Sequence, residues 1–308
     1  MSNAELRDFL RASRARIRPV EAGLPEWPGE PGRPARRVPG LRREEVAHLA
    51  GVSVDYYARL EQGRTRHVST AVLDAVAHAL ALNQTERDYF FALVLAQTAH
   101  SRSTVASQRP RVRPGVRRVL TSFSGSPAFV LGRGMQLLAM NALARALLFD
   151  LDAVPVRERN LARWMFLSPD ARERYVEWEE VASELAAVLR VDAAADPDDP
   201  ELNELIGELT VKSAEFRSVW CEHRVYECTF GTKRFAHPIA GPMQLDYEAL
   251  DLPGADGQRI IVYTAPEGSR SEEALNLLAS WALSPQGRKP APIESGTVIG
   301  ERHRGARG

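Results

Sequence analysis

Five arginines between residues 42 and 66 could bind the phosphates or base edges of a nucleic acid. A guanidinium group donates paired hydrogen bonds to phosphate oxygens and to the O6 and N7 atoms of guanine. These arginines lie in the basic part of the chain, because residues 1–118 hold 20 Lys and Arg against 12 Asp and Glu, whereas the remaining residues hold 20 against 28. Such an asymmetry is typical of a nucleic-acid-binding module joined to a domain with another partner.

The elements that must position these arginines follow from the hydrophobic periodicity around them. Residues 41–50 predict a helix that Gly51 ends, since glycine permits the backbone of a tight turn. Ser53 is a good N-cap for a second helix over residues 54–62, and Gly63 is a good stop for it. Two helices joined in this way are typical of a helix-turn-helix, whose second helix lies in the major groove of DNA.

The segment from Leu41 to Gly63 resembles the XRE family of lambda-type repressor domains. It carries Leu-Ala-Gly-Val-Ser at the turn and ends in Leu-Glu-Gln-Gly, as that family does. The match spans about residues 6–97 and implies a repressor-type regulator that binds double-stranded operator DNA. We expect a homodimer on a two-fold site, because a single module makes few contacts. The chain departs from the family in the Arg42-Arg43 pair, in Val54-Asp55-Tyr56 at the start of the recognition helix, and in a longer Pro-rich loop over residues 19–39.

The resemblance also implies roles for residues on and beside the recognition helix. Arg59 would bond guanine, Asp55 would accept a hydrogen bond from a cytosine amine, and Val54 would touch a thymine methyl. Arg42 and Arg43 would bind phosphate at the start of the first helix. The candidate DNA-contacting residues are Arg42, Arg43, Ser53, Val54, Asp55, Tyr56, Arg59, Arg64 and Arg66.

The rest of the chain predicts a second domain of mixed structure. Helices are expected in the first half over residues 6–17, 69–80 and 85–97, and in the second half over residues 116–123, 141–149, 160–167, 170–189, 201–212, 215–223 and 272–283. Strands are expected over residues 128–131, 136–140, 225–230, 233–238, 242–250 and 259–264. This order indicates an all-α helix-turn-helix domain followed by an α+β domain whose antiparallel sheet is covered on one side. The expected boundaries are 1–97 for the DNA-binding domain, 98–113 for a basic linker, 114–284 for the second domain and 285–308 for a disordered tail.

Residues 112–283 resemble the PAS-like ligand-binding domain of actinobacterial regulators of the MmyB/MltR type. The resemblance is carried by the segments beginning at Pro127, Leu138, Asn160, Phe216, Lys233 and Val262. It implies an apolar pocket for a small, fatty-acid-like effector, with a few polar groups that fix a head group. The candidate ligand-binding residues are Phe129, Leu131, Met140, Asn141, Leu148, Trp164, Met165, Phe216, Trp220, His223, Arg234 and Tyr247.

Several alternatives remain open at the level of sequence. The arginines could form a solvated helix face, the apolar candidates could be ordinary core, and Asn141 could only cap a helix. Glu61 is expected to bridge inside the first domain, since it would repel phosphate. The second domain could instead be an enzyme or a pure dimerisation module.

The composition and the cysteine spacing favour a protein with neither a membrane span nor a structural zinc site. Hydrophobic residues make up 44% of the chain, and no apolar stretch is long enough to span a membrane, so we expect a cytoplasmic protein with no membrane partner. Cys221 and Cys228, with His223 and His237, do not have the spacing of a structural zinc site. No catalytic residue, metal or cofactor is expected.

Overall fold

A computed structural model describes residues 2–24, 39–65, 68–98, 111–226, 229–255 and 257–283. Five helices form the N-terminal part: α1 (Ser2–Arg16), α2 (Arg43–Leu49), α3 (Val54–Glu61), α4 (Thr70–Ala79) and α5 (Gln84–Thr98). Their apolar faces meet in one core, where Phe9, Tyr57 and Phe90 are fully buried. The helices predicted from periodicity are therefore present, with ends shifted by a few residues.

The turn between α2 and α3 forms as the sequence predicts. Gly51 has a φ of 66°, a left-handed conformation that favours glycine. The amide of Val52 donates to the carbonyl of Ala47 at 2.9 Å and closes the turn. Ser53 then caps α3, because its hydroxyl accepts a hydrogen bond from the amide of Tyr56 at 3.1 Å. The helix-turn-helix is thus fixed by local residues.

The second part contains a five-stranded antiparallel sheet. Its strands are β1 (Ala128–Leu131), β2 (Leu137–Met140), β3 (Phe230–His237), β4 (Gly241–Asp251) and β5 (Arg259–Thr264), in the spatial order β2-β1-β5-β4-β3. β1 and β2 form a hairpin across Gly132 to Gln136, as predicted. In β4, Met243, Leu245 and Tyr247 are buried and alternate with exposed polar residues. The predicted α+β architecture with an antiparallel sheet is confirmed.

In the described residues, eight helices accompany this sheet. They are α6 (Pro114–Ser122), α7 (Ala142–Leu147), α8 (Leu161–Leu167), α9 (Pro169–Arg174), α10 (Trp178–Ala195), α11 (Pro200–Lys212), α12 (Ala214–Cys221) and α13 (Arg270–Leu283), with short 3-10 turns at Arg133–Met135, Leu151–Ala153 and Val156–Glu158. The main core fills the space between one face of the sheet and α7 to α13. The expectation of cover on one side only is wrong, because α6 packs Val116 and Leu120 against the opposite face.

Two further expectations need correction. The predicted single helix over residues 170–189 is broken between α9 and α10, where Tyr175 forms a β-bridge with Phe235 and the amide of Val176 donates to the carbonyl of Arg234 at 3.0 Å. The predicted start of a strand at Val225 is also wrong. Val225 lies outside any strand and packs on the core of the helical domain, and β3 begins only at Phe230.

The remaining regional predictions fall largely outside the described residues. Most of the linker, the tail from residue 284, Arg66 and Cys228 belong to this group. In the part of the chain that the structure describes, no helix is both long enough and apolar enough to cross a membrane.

Candidate nucleic-acid interface and apolar core

The first turn of α3 presents side chains outward. Val54 is 44% exposed, Asp55 and Arg59 are exposed, and Tyr56 is half-buried. Tyr57 and Leu60 point the other way and are buried in the helical core. Helical periodicity therefore separates a packing face from a solvent-facing face. The exposed face carries hydrogen-bond donors, an acceptor and a small apolar group, which are the groups that read base edges.

A buried carboxylate organises the N-terminal end of α2. Glu61 has no exposed surface, and its Oε1 accepts hydrogen bonds from Nε and Nη2 of Arg43 at 3.2 and 2.8 Å. Arg14 contributes a second positive charge, with its Nε 3.6 Å from Oε2 of Glu61. The prediction that Glu61 bridges inside the domain is confirmed. Arg43 remains partly exposed and can still meet an anion.

A cleft rich in arginine opens where α1 meets α2. It is lined by Arg11, Arg14, Arg42, Arg43 and Glu44. The ends of the two helices are joined there, since the Leu41 amide donates to the Arg14 carbonyl at 2.9 Å and Nη1 of Arg14 donates to the Leu41 carbonyl at 2.7 Å. Four guanidinium groups at one cleft favour an anion such as a DNA phosphate.

Arg11 and Arg14 were missed by the sequence reasoning, which considered only the helix-turn-helix segment. Their spacing of three places them on one face of α1, which was a usable signal. Arg64, by contrast, was predicted and lies exposed just after α3, where its amide donates to the Arg59 carbonyl at 2.9 Å.

The α+β domain gathers most of the predicted ligand-binding residues. One buried cluster contains Phe129, Leu131, Met140, Leu148, Trp164, Met165, Phe216 and Tyr247, and Trp220 packs at its edge. These residues come from β1, β2, β4, the α7 end, α8 and α12, so only the tertiary fold brings them together. The cluster forms part of the main apolar core of this domain.

Aromatic rings run through this cluster in contact with one another. Trp164 stacks on Phe149 with ring centroids 5.1 Å apart, and Phe216 stacks on Trp220 at 5.2 Å. The indole Nε1 of Trp164 is buried, and no hydrogen-bond acceptor lies within reach among the described residues. An unpaired buried N–H costs about 1–3 kcal/mol, so an acceptor group placed beside it would be stabilised.

The break between α9 and α10 forms an open cleft over the cluster. Tyr175 and Trp178 line it, and both also belong to the buried cluster. Arg172 lies over the Trp178 ring at 4.3 Å. Sequence reasoning missed this site because it treated residues 170–189 as a single helix. Phe166, whose ring lies 5.0 Å from that of Phe216, was missed as well.

The three polar candidates do not converge on the cluster. The Asn141 amide is used entirely within the fold, since Oδ1 accepts from the amides of Ala144 and Ala128 and Nδ2 donates to the carbonyls of Phe123 and Ser126. The capping alternative for Asn141 is therefore confirmed. Arg234 is exposed and pairs with Glu177 at the sheet edge, and His223 lies at the junction with the helical domain.

His237 is the last residue of β3, and its ring has a structural role. Its Nε2 lies 2.9 Å from the Ala146 carbonyl, and its Nδ1 accepts from the amides of Ile239 and Ala240 at 3.2 Å. This pattern requires the neutral ring with the proton on Nε2. Burial lowers the pKa of His237, in agreement with that assignment. Both ring nitrogens are thus engaged within the fold.

Comparisons with known protein families agree with this division of the chain. Residues 5–90 match the model of a helix-turn-helix domain. Residues 112–278, more than half of the chain, match the model of the MmyB-like transcription regulator ligand binding domain. No curated protein sequence matches the chain. The two matched segments coincide with the helical core and with the α+β core described above.

Proposed function

Because the chain belongs to the family of transcription regulators with an MmyB-like ligand binding domain, we propose that it binds operator DNA sequence-specifically through α3 and responds to a small apolar effector. The observation that carries the first half is the exposed face of α3, where Val54 and Asp55 in the first turn and Arg59 in the last turn face solvent on a capped helix. Such a helix fits the major groove. A protein with this task works beside the chromosome, so we place it in the cytoplasm.

We divide the DNA contacts into two groups. Arg59, Asp55 and Val54 would read bases, because they lie at the end of the recognition helix that enters the groove first or one turn along. Arg11 and Arg42 would bind phosphates, because both line the basic cleft beside α2. A homodimer would then read two half-sites about 10 bp apart, or a multiple of that spacing.

The effector is proposed to enter the aromatic cluster of the α+β domain. The family match supports a ligand in this domain. The buried Nε1 of Trp164 favours an effector that carries one hydrogen-bond acceptor on an apolar body. A fatty acid has this chemistry, since its carboxylate is an acceptor and its chain is apolar. The cleft beside Tyr175 and Trp178 offers a route to the cluster.

DNA binding is tested by selecting duplexes from a random pool with the full-length protein and footprinting its own promoter. A defined motif with two related half-sites would support the proposal. Binding that depends on salt but not on sequence would contradict it, because phosphate contacts alone carry no sequence information.

Effector binding is tested separately by native mass spectrometry of the purified protein, followed by titration with tetradecanoate. Thermal stabilisation by tetradecanoate and a change in affinity for the selected duplex would support the proposal. Trp164→Phe removes the indole N–H but keeps an aromatic ring, so it should weaken tetradecanoate binding more than it weakens tetradecane binding. If tetradecanoate and tetradecane each bind wild type and Trp164→Phe equally well, the proposed hydrogen bond from Trp164 to the effector is excluded.

A further inference from the structure

An ion pair between a buried arginine and a half-buried glutamate connects the DNA-binding domain to the α+β domain. The guanidinium of Arg190, on α10, donates from Nη1 to the Oε1 atom of Glu5, on α1. The hydroxyl of Tyr89, on α5, donates to the same oxygen at 2.9 Å. The Arg190 side chain is only 2% exposed. Glu5 of the helical domain therefore forms an ion pair with Arg190 of the α+β domain.

The same arginine also contacts the edge of the aromatic cluster. Nη2 of Arg190 donates to the carbonyl of Trp220, and its Cζ lies 4.1 Å from the centre of the Trp220 ring. Trp220 stacks in turn on Phe216, which is fully buried in the cluster. One side chain therefore touches both the DNA-binding domain and the wall of the proposed effector site.

The charges at this junction favour the ionised pair. Burial of Glu5 would raise its pKa, but contacts with His223, Arg190 and Tyr89 outweigh burial and lower the pKa to about 2. A buried guanidinium without a partner would be strongly unfavourable, so Arg190 depends on Glu5, on the Trp220 carbonyl and on Nδ1 of His223, which lies 3.2 Å from its Nη1. The pair is consequently complete only when the two domains have the observed orientation.

Apolar packing at the same junction is less directional. Ala194, from α10, and Val225 join the core of the helical domain. Hydrophobic contacts depend mainly on buried area, whereas a hydrogen-bonded ion pair has a defined geometry. The apolar surface can therefore hold the domains together while the ion pair selects one orientation.

From this arrangement we infer that Arg190 is a positioning residue for the DNA-binding domain. It fixes the orientation of that domain through Glu5 and transmits any displacement of Trp220 to it. This inference rests on the proposed function, because it assigns the link between the effector site and the DNA-reading helix. An effector that binds among the rings moves Trp220, weakens the Arg190 contact with Glu5 and so changes the orientation of α3. Such coupling requires that the effector favour one of the two arrangements.

The orientation of the DNA-binding domain relative to the α+β domain is measured in the full-length protein by double electron–electron resonance spectroscopy. Spin labels are attached at His48→Cys, on α2, and at Glu204→Cys, on α11, two exposed positions, after Cys221 and Cys228 are replaced by serine. Wild type should give one narrow distance distribution. Glu5→Gln and Arg190→Met should each broaden or shift it, and the double variant should resemble either single one. An unchanged distribution in both single variants would overturn the inference.

A matched control breaks an ion pair that lies within the α+β domain. Glu215→Gln removes the partner of Arg172, 2.7 Å away, without touching the junction. It should leave the distance distribution unchanged. Trp220→Leu removes the ring under Arg190 and should broaden the distribution as Glu5→Gln does. A distance distribution in Trp220→Leu identical to that of wild type would overturn the inferred coupling between the aromatic cluster and the Glu5–Arg190 ion pair.

Measurements of DNA affinity distinguish an error in the role assigned to the Glu5–Arg190 ion pair from an error in the proposed function. If wild type binds a selected duplex, Glu5→Gln should lower affinity for a two-half-site duplex by about 5–150-fold, the usual range for coupling between sites. Affinity for a single half-site should stay within twofold, because α3 itself is intact. If wild type and Glu5→Gln bind each of the two duplexes with the same affinity, the role of the Glu5–Arg190 ion pair is overturned and the proposed function is not. Absence of specific binding by wild type would instead contradict the proposed function, while the distances still test the role of the Glu5–Arg190 ion pair.

Discussion

Arg43 holds the fully buried carboxylate of Glu61 through two hydrogen bonds, with distances of 3.2 and 2.8 Å. This pair links the start of the first helix of the DNA-binding motif to the end of the second. The contact raises the pKa of Arg43, whose hydrogen bonds and ionic attraction to Glu61 favour the charged form. Arg43 therefore has a structural task in addition to its proposed contact with phosphate.

The two neighbouring arginines should consequently differ on substitution. Arg42 is exposed, and its backbone amide donates to Oε2 of Glu45 at 2.6 Å while its carbonyl accepts from the amides of Glu45 and Val46. No carboxylate partner of its side chain is found among the described residues. Arg42→Ala should lower affinity for all duplexes alike and reduce the slope of log K against log salt by about 1. Its free energy of unfolding should change by less than about 0.5 kcal/mol.

Arg43→Ala should in contrast lower the free energy of unfolding by about 1–3 kcal/mol, because Glu61 loses a buried partner. Arg43→Ala with Glu61→Gln should recover part of that loss, since no uncompensated charge remains. Urea denaturation measures the stabilities, and binding at several salt concentrations measures the slopes. The interpretation is wrong if Arg42→Ala and Arg43→Ala destabilise the protein equally.

Arg59 is predicted to read a base. It is exposed in the last turn of α3, so Arg59→Ala should not change stability by more than about 0.5 kcal/mol. It should cost about 1–3 kcal/mol of binding energy and relax preference at one position of the selected motif. Repeating the duplex selection with the variant shows which position relaxes. A uniform loss at all duplexes, with a salt slope changed as in Arg42→Ala, would assign Arg59 to phosphate.

The helix-turn-helix could be predicted from sequence because its determinants are local. Gly51 supplies the left-handed turn, Ser53 supplies the cap, and the apolar positions follow the helical period. The hairpin of β1 and β2 and the alternation in β4 were predictable for the same reason. Each of these features depends on residues that are close together in the chain.

The features that were predicted wrongly or missed all depend on contacts between residues that are distant in sequence. Helical periodicity continues across residues 170–189, but pairing of Tyr175 with Phe235 interrupts it. Val225 has the composition of a strand residue, yet it packs against the helical domain. The link between Glu5 and Arg190 spans 185 positions in the chain. Neither residue carries a sequence signal that distinguishes it from a surface ion-pair residue.

Asn141 should stabilise the fold whether or not an effector is bound. Its side chain caps α7 and ties the end of that helix to the carbonyls of Phe123 and Ser126, at 2.9 and 2.8 Å. Asn141→Ala should lower the free energy of unfolding by about 2–4 kcal/mol, since several buried groups lose their partners. Asn141→Asp keeps the cap acceptor but loses both donors, so it should recover only part of this loss. Thermal denaturation with and without tetradecanoate measures both effects, and a loss confined to tetradecanoate binding would assign Asn141 to the effector instead.

His237 should make stability depend on pH. Burial lowers its pKa below the ordinary value of 6.5, against a smaller opposing effect of the Ala146 carbonyl, so the folded state holds the neutral ring more firmly than the unfolded state does. Its stabilising contribution is therefore complete above about pH 6.5 and is lost as the pH falls through the lower pKa of the folded protein. His237→Gln can still donate to the Ala146 carbonyl at 2.9 Å but cannot take up a proton. Urea denaturation from pH 5 to pH 8 should give a positive slope of stability against pH in wild type and a smaller slope in His237→Gln. Identical slopes in the two proteins would show that His237 does not titrate with unfolding.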